Sequence, residues 1–188
     1  MSKIDEVKKG WNNILERSKE ANYIVVVGAA SGTDVQSFLI EEDILISEYF
    51  DNNELFIGTS VNGIRVSKPY KVNLEKVLYI ISAKSEKNKE ELSQQLHSLG
   101  IKSEYVAVVP AYKSDPDKLP YMNEKEMLEE ISNIYMAEMG KMPNLEHPAA
   151  YTEKINANKI YMGNEKCTLM ADKYLVKEFI KNELGEQY

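Results

Sequence analysis

Apolar positions open the chain at steps of three and four. Ile4, Val7, Trp11, Ile14 and Leu15 fall on one face of a helix spanning residues 4–15. The pattern then becomes continuous. The run YIVVVG at residues 23–28 is short and β-branched, as in a strand buried on both faces. Residues 29–39 turn and become helical, with Val35, Phe38 and Leu39 inward. Further strands are predicted at residues 44–50 (ILISEYF), 76–82 (KVLYIIS) and 104–109 (EYVAVV). Between the second and third lies a loop rich in Asn and Gly, with a short extended piece at its end. Leu92, Leu96 and Leu99 mark a helix that opens at an N-x-x-E capping box, Asn88 to Glu91, and stops at Gly100.

Strand and helix therefore alternate, which predicts an α/β fold: a small parallel Rossmann-like sheet with flanking helices, followed by a helical C-terminal segment. Pro110, Pro116 and Pro120 interrupt the pattern. The expected division is a Rossmann-like module at 1–109, a linker at 110–122 and a helical segment at 123–188. In that segment Asn123 with Glu126 caps a helix that buries Met127, Leu128, Ile131, Ile134 and Tyr135, and Gly140 ends it. Glu129, Glu130 and Glu138 on this helix read as solvated charge. A last helix from near Thr168 carries a stripe of Ala171, Leu175, Phe179 and Ile180. That stripe is expected to pack on the 123–139 helix, with self-association into a homo-oligomer as the alternative.

Composition narrows the function classes. The 188 residues are 43% hydrophobic and 28% charged, enough for both a core and a solvated surface. A net charge of −7 argues against nucleic acid as a partner, because phosphate backbones are bound by basic surfaces. No apolar run reaches the roughly 18 residues of a membrane span. The charged N-terminus lacks a secretory signal pattern. With Cys167 as the single cysteine, a reducing, cytoplasmic location is expected. One cysteine and two histidines, His97 and His147, leave no zinc site in the sequence, and no metal ligands are assigned. No catalytic residue is assigned either.

The candidate chemistry lies at the carboxyl end of the first strand. In VVVGAASGTDV a glycine turn opens a helix, the arrangement that brings backbone N–H groups and a helix N-terminus to a phosphate. Gly28, Ala30, Ser31 and Gly32 form that turn. Gly28 and Gly32 fit the first and last glycine roles of G-x-G-x-x-G, Ala30 replaces the middle glycine, and the turn is one residue short. Asp51 and Asn52, after the second strand, stand where an acidic residue binds a ribose or sugar hydroxyl. The same pair equally suits a simple chain turn. The expected ligand is a nucleotide or nucleotide-sugar.

Residues 22–109 resemble the small Rossmann-like domains that precede transferase domains in bacterial surface-polysaccharide enzymes. The run D-N-N … G … N-G-x-x-V, Asp51 to Val66, carries most of that likeness. Residues 135–188 resemble the start of the teichuronic-acid-biosynthesis (TupA-like) ATP-grasp family, often described as glycosyltransferases. The matching segments are Asn144–Lys154, Ala171–Ile180 and Gly185–Tyr188. This resemblance implies a polysaccharide-biosynthesis role for capsule or teichuronic acid. It implies that Asp172 and Lys173 help frame a nucleotide site, with ATP and Mg2+ bound only by a full-length parent whose later lobes follow this point. The chain alone is then expected to be an incomplete, inactive start of that domain. Two alternatives remain: a stand-alone binding or interaction module, and an NAD-dependent sugar-nucleotide oxidoreductase. The last lacks a Tyr-x-x-x-Lys pair positioned to serve the glycine turn.

Overall fold

The computed structural model describes residues 3–112 and 122–161, together with Lys177 and Lys181 as helical positions. The expected last helix, with Asp172, Lys173 and the Ala171–Ile180 stripe, lies outside the described residues, Lys177 and Lys181 aside. The fold is α/β. A six-stranded, mostly parallel sheet is flanked by helices in the manner of a Rossmann fold.

Helix α1 (Lys3–Glu20) buries Val7, Trp11 and Ile14. Strand β1 (Tyr23–Val27) is the sheet's centre, and alternate residues face opposite ways. Ile24 and Val26 join a core with α1 and with Val35 and Leu39 of α2 (Ala29–Ile40). Val25 and Val27 join a second core on the other face, with Leu96 of α3 (Glu86–Ser98). Strand β1 pairs in parallel with β2 (Glu48–Phe50) on one side and β5 (Val77–Ile81) on the other. Strand β6 (Val106–Val108) extends the sheet beyond β5.

Two expectations change in detail. The second strand is short, because Ile44 N–H donates to Leu39 O at 3.0 Å and so closes α2 instead of extending β2. The Asn/Gly-rich loop contains a hairpin, β3 (Ser60–Val61) and β4 (Ile64–Ser67), turned by Asn62 and Gly63 with φ of 48° and 79°. Positive φ at both turn residues is what a two-residue hairpin needs, and Asn-Gly supplies it at low cost. Strand β4 then pairs in parallel with β2, so this segment belongs to the sheet. The sheet order is β3-β4-β2-β1-β5-β6. Numbered among the parallel strands alone, it is third, second, first, fourth, fifth, the order of doubly wound nucleotide-binding sheets.

The helix stops follow from local chemistry. Gly100 and Gly140 adopt left-handed φ of 76° and 74° just past α3 and α4 (Glu124–Met139). At the start of α4 the Asn123 side chain accepts from Glu126 N–H at 3.0 Å, and the Glu126 carboxylate accepts from Asn123 N–H at 2.9 Å, a complete capping box. Helix α3 starts earlier than expected: Ser85 is its cap, accepting from Asn88 N–H at 3.1 Å. Ser and Asn are both good caps, and the earlier one wins.

The chain divides into two compact units, residues 1–114 with 133–142, and residues 115–132 with 143–188. Residues 133–142 group with the sheet for a physical reason. Trp11 Nε1 donates to Ala137 O at 3.1 Å, Met136 and Ala137 join the α1/α2 core, and Gly140 lies against the Phe38 ring. In the second unit, Glu130 is buried, contrary to the solvated reading of its sequence. Helix α5 (Tyr151–Tyr161) opens beneath Glu153, whose buried carboxylate accepts N–H groups of Asn144, Ala149 and Ala150 at 3.0–3.1 Å. Asn144 Oδ1 accepts from His147 N–H at 3.0 Å, so the Asn144–Lys154 segment knits itself into a turn and a helix cap. Among the described residues no helix is long and apolar enough to cross a membrane.

Candidate functional site

Reversal of strand order beside β1 leaves a crevice at the carboxyl ends of β1 and β5, the topological switch point of the sheet. A cleft of about 610 Å³ opens there. That volume lies within the range of small-molecule sites, roughly 300–1,000 Å³. Residues after β1 (Gly28, Ala30, Ser31), after β2 (Asp51, Asn52) and after β5 (Ser82, Lys84) line it, and α3 closes it with Asn88, Glu91 and Gln95. The structure thus brings together five of the six candidate ligand residues.

Gly32 is the exception: it does not line the cleft. It lies in α2 against the sheet, where an added Cβ would stand 2.7 Å from both Tyr49 Cε1 and Val26 Cγ1. Its role is close helix–strand packing, the third-glycine role of the fingerprint. Gly28 is the sharp corner. Its φ is 103°, its N–H donates to Phe50 O at 2.7 Å, and a Cβ would strike Ser82 O. Helix α2 starts directly at Ala29, so residues 29–32 form the helix's first turn and not a separate loop.

Asp51 fixes the electrostatics of this corner. Its Oδ2 accepts from Ala29 N–H at 2.7 Å, and its Oδ1 accepts from Asn53 N–H at 2.8 Å. The carboxylate therefore stands at the positive end of α2, the position that a pyrophosphate takes in dinucleotide sites. Across the cleft, Asn52 and Gln95 exchange two amide hydrogen bonds, each 2.9 Å. Ser82 Oγ donates to Ser31 O at 2.8 Å and ties the β5 end to the first turn of α2. The lining combines two carboxylates, Asp51 and Glu91, with one ammonium, Lys84. Such a surface favours ligands rich in hydroxyl and amide donors, with any anion kept near Lys84.

Sequence reasoning missed Ser82, Lys84, Asn88, Glu91 and Gln95. The usable signal was positional: SAKSEKN follows a predicted strand beside the first, at the side where α/β sheets bind ligands. His97 is exposed, 2.8 Å from Ser103 Oγ through its Nε2. A buried carboxylate outside the cleft, Glu48, sits at the opposite, amino end of β2 and accepts from Tyr23 at 3.2 Å, Tyr70 at 2.8 Å and Ser67. Among the described residues no three His, Cys, Asp or Glu side chains converge to hold a metal ion.

Fold and cleft together define a Rossmann-type α/β domain with its crevice at the switch point. Comparison of the chain with protein-family models, curated proteins and solved structures gave no match.

Proposed function

We propose that this chain is a nucleotide- or nucleotide-sugar-binding module of a surface-polysaccharide biosynthesis system, with its ligand in the switch-point cleft. The observation that carries the reading is the convergence of the β1, β2 and β5 ends on one cleft of nucleoside-binding size. The resemblance of residues 22–109 to modules of such enzymes supports it. Asp51 and Asn52 offer acceptors and donors to sugar hydroxyls, and the occupied helix N-terminus favours a ligand whose phosphates lie elsewhere than in a dinucleotide site. No step of bond making is assigned to the chain's own residues.

A second reading, an interaction module without a ligand, draws on the same geometry: both Asp51 oxygens and the Asn52–Gln95 pair are satisfied within the protein. Titration calorimetry with uridine, guanosine, cytidine and thymidine and their diphosphates separates the two. The binding reading expects heat with at least one of them, lost in Ala30→Leu. Ala30 is exposed in the cleft, so the longer side chain fills the site and spares the core. Silence across the whole panel, or binding indifferent to Ala30→Leu, would favour the ligand-free module.

A further inference from the structure

A smaller cleft of about 160 Å³ adjoins the first. The two share a ledge of Ser31, Ser82, Ala83 and Lys84. Beyond that ledge the second cleft is walled by Asp34 of α2, by Lys89 of α3, by Tyr112 in the segment after β6 and by Glu138 of α4. The Lys89 ammonium is buried and already engaged, by the Glu86 carboxylate at 3.1 Å and by Val109 O at 2.8 Å, which leaves Asp34 and Glu138, among the described residues, as the charges without a cation at bonding distance in this wall. All these residues belong to the first compact unit.

The two clefts differ in what they accept. Asp34 is half-buried, and its carboxyl is pushed above the usual range first by burial, then by the negative charge of Glu138, with Lys84 acting in the opposite sense. A carboxylate held among these neighbours gains from neutral O–H donors, which replace lost water without adding charge. A second anion there meets like charge at close range. The only basic side chain on the ledge, Lys84, is exposed toward both clefts and suits the anionic centre of a longer ligand.

We propose that the two clefts form one bipartite site for a nucleoside diphosphate sugar: nucleoside in the first, phosphates along the ledge at Lys84, and a neutral sugar ring in the second, its hydroxyls donating to Asp34 and Glu138. This rests on the nucleotide reading above and adds a specificity to it. The site prefers a neutral hexose and rejects the matching uronic acid, whose C6 carboxylate would face Asp34 and Glu138.

Calorimetric titrations on the full chain form a ladder that separates the two readings. The probes are uridine, UDP, UDP-glucose and UDP-glucuronate, with guanosine, GDP, GDP-mannose and GDP-mannuronate as the parallel series. Gain from nucleoside to diphosphate, lost in Lys84→Met, places the phosphates on the ledge. Gain from diphosphate to neutral sugar, with the uronate at least about tenfold weaker, places the ring in the second cleft. In the double variant Asp34→Asn, Glu138→Gln the uronate should approach the neutral sugar, while the diphosphate stays unchanged. Diphosphate binding with no added affinity from either sugar, a preference of the unaltered chain for the uronate, or a discrimination against the uronate that persists in the double variant, overturns the bipartite site and leaves the nucleotide reading intact. No binding by any nucleoside or diphosphate overturns both.

Discussion

Truncation of Asp51 to alanine probes the corner on which the cleft is built. In the folded chain its two oxygens accept Ala29 N–H and Asn53 N–H at 2.7 and 2.8 Å, at the positive end of α2. Loss of a side-chain cap costs about 0.5–2 kcal/mol. Loss of a charge favourable to the helix dipole costs about 0.3–1 kcal/mol more. Asp51→Ala should therefore destabilise the first unit by about 1–3 kcal/mol. With a urea dependence near ~2 kcal/mol per molar, the unfolding midpoint falls by about 0.5–1.5 M. Trp11 is buried in that unit, so its fluorescence reports the transition. The same variant vacates an anion position. Inorganic phosphate should raise its midpoint more than that of the unaltered chain, since a ligand bound only by the folded state stabilises it. A midpoint equal to that of the unaltered chain, with no difference in phosphate response, would show that Asp51 does not hold the helix end.

Three further outcomes are expected. Gly32→Ala should destabilise by about 1–3 kcal/mol despite the better helix propensity of alanine, because its Cβ meets two fully buried side chains at 2.7 Å; a stability equal to or above that of the parent in urea would refute the packing role. Asp34→Asn should raise stability near neutral pH. The folded carboxyl has a raised pKa, so its unfavourable contribution is absent below the unfolded value, builds as pH rises from there and is complete above the folded value; thermal melts that show the same gain at about pH 3 and about pH 7, either side of the usual carboxyl range, would contradict this. Glu153→Ala should free the amides of Asn144, Ala149 and Ala150 and speed their hydrogen exchange, whereas unchanged protection would show that Glu153 is not the cap of α5.

The sheet was legible in the sequence wherever a strand is buried on both faces. YIVVV and VLYII are continuous apolar runs, and no competing helical spacing disturbs them. Strand β4 was legible only as a short extended piece at the end of the loop, because IRVS is short, half polar and embedded among turn residues, and its place beside β2 is settled by long-range pairing. The glycine corner was legible in kind but not in detail. Gly28 and Gly32 carry the expected first and third roles, yet the role of Gly32 appears only once Tyr49 and Val26 are seen beneath it. Asp51 was found by its distance from the first strand. Its bond to Ala29 could not be read from spacing, because it depends on how closely β2 brings its end to the start of α2. Lys84 and Glu138 were hidden for the same reason: exposed charges carry no periodic signal, and topology alone places them by a cleft.

The most direct test of the switch-point site is amide chemical-shift mapping of the isotope-labelled chain titrated with UDP-glucose and GDP-mannose. With one of them the shifts should gather at Gly28, Ala30, Ser31, Asn52, Ser82 and Lys84, with the Asn52 and Gln95 side-chain amides moving as their mutual bonds exchange for ligand. Shifts confined to the opposite edge of the sheet, around Glu48 and Tyr70, or no shifts with either compound, would contradict it.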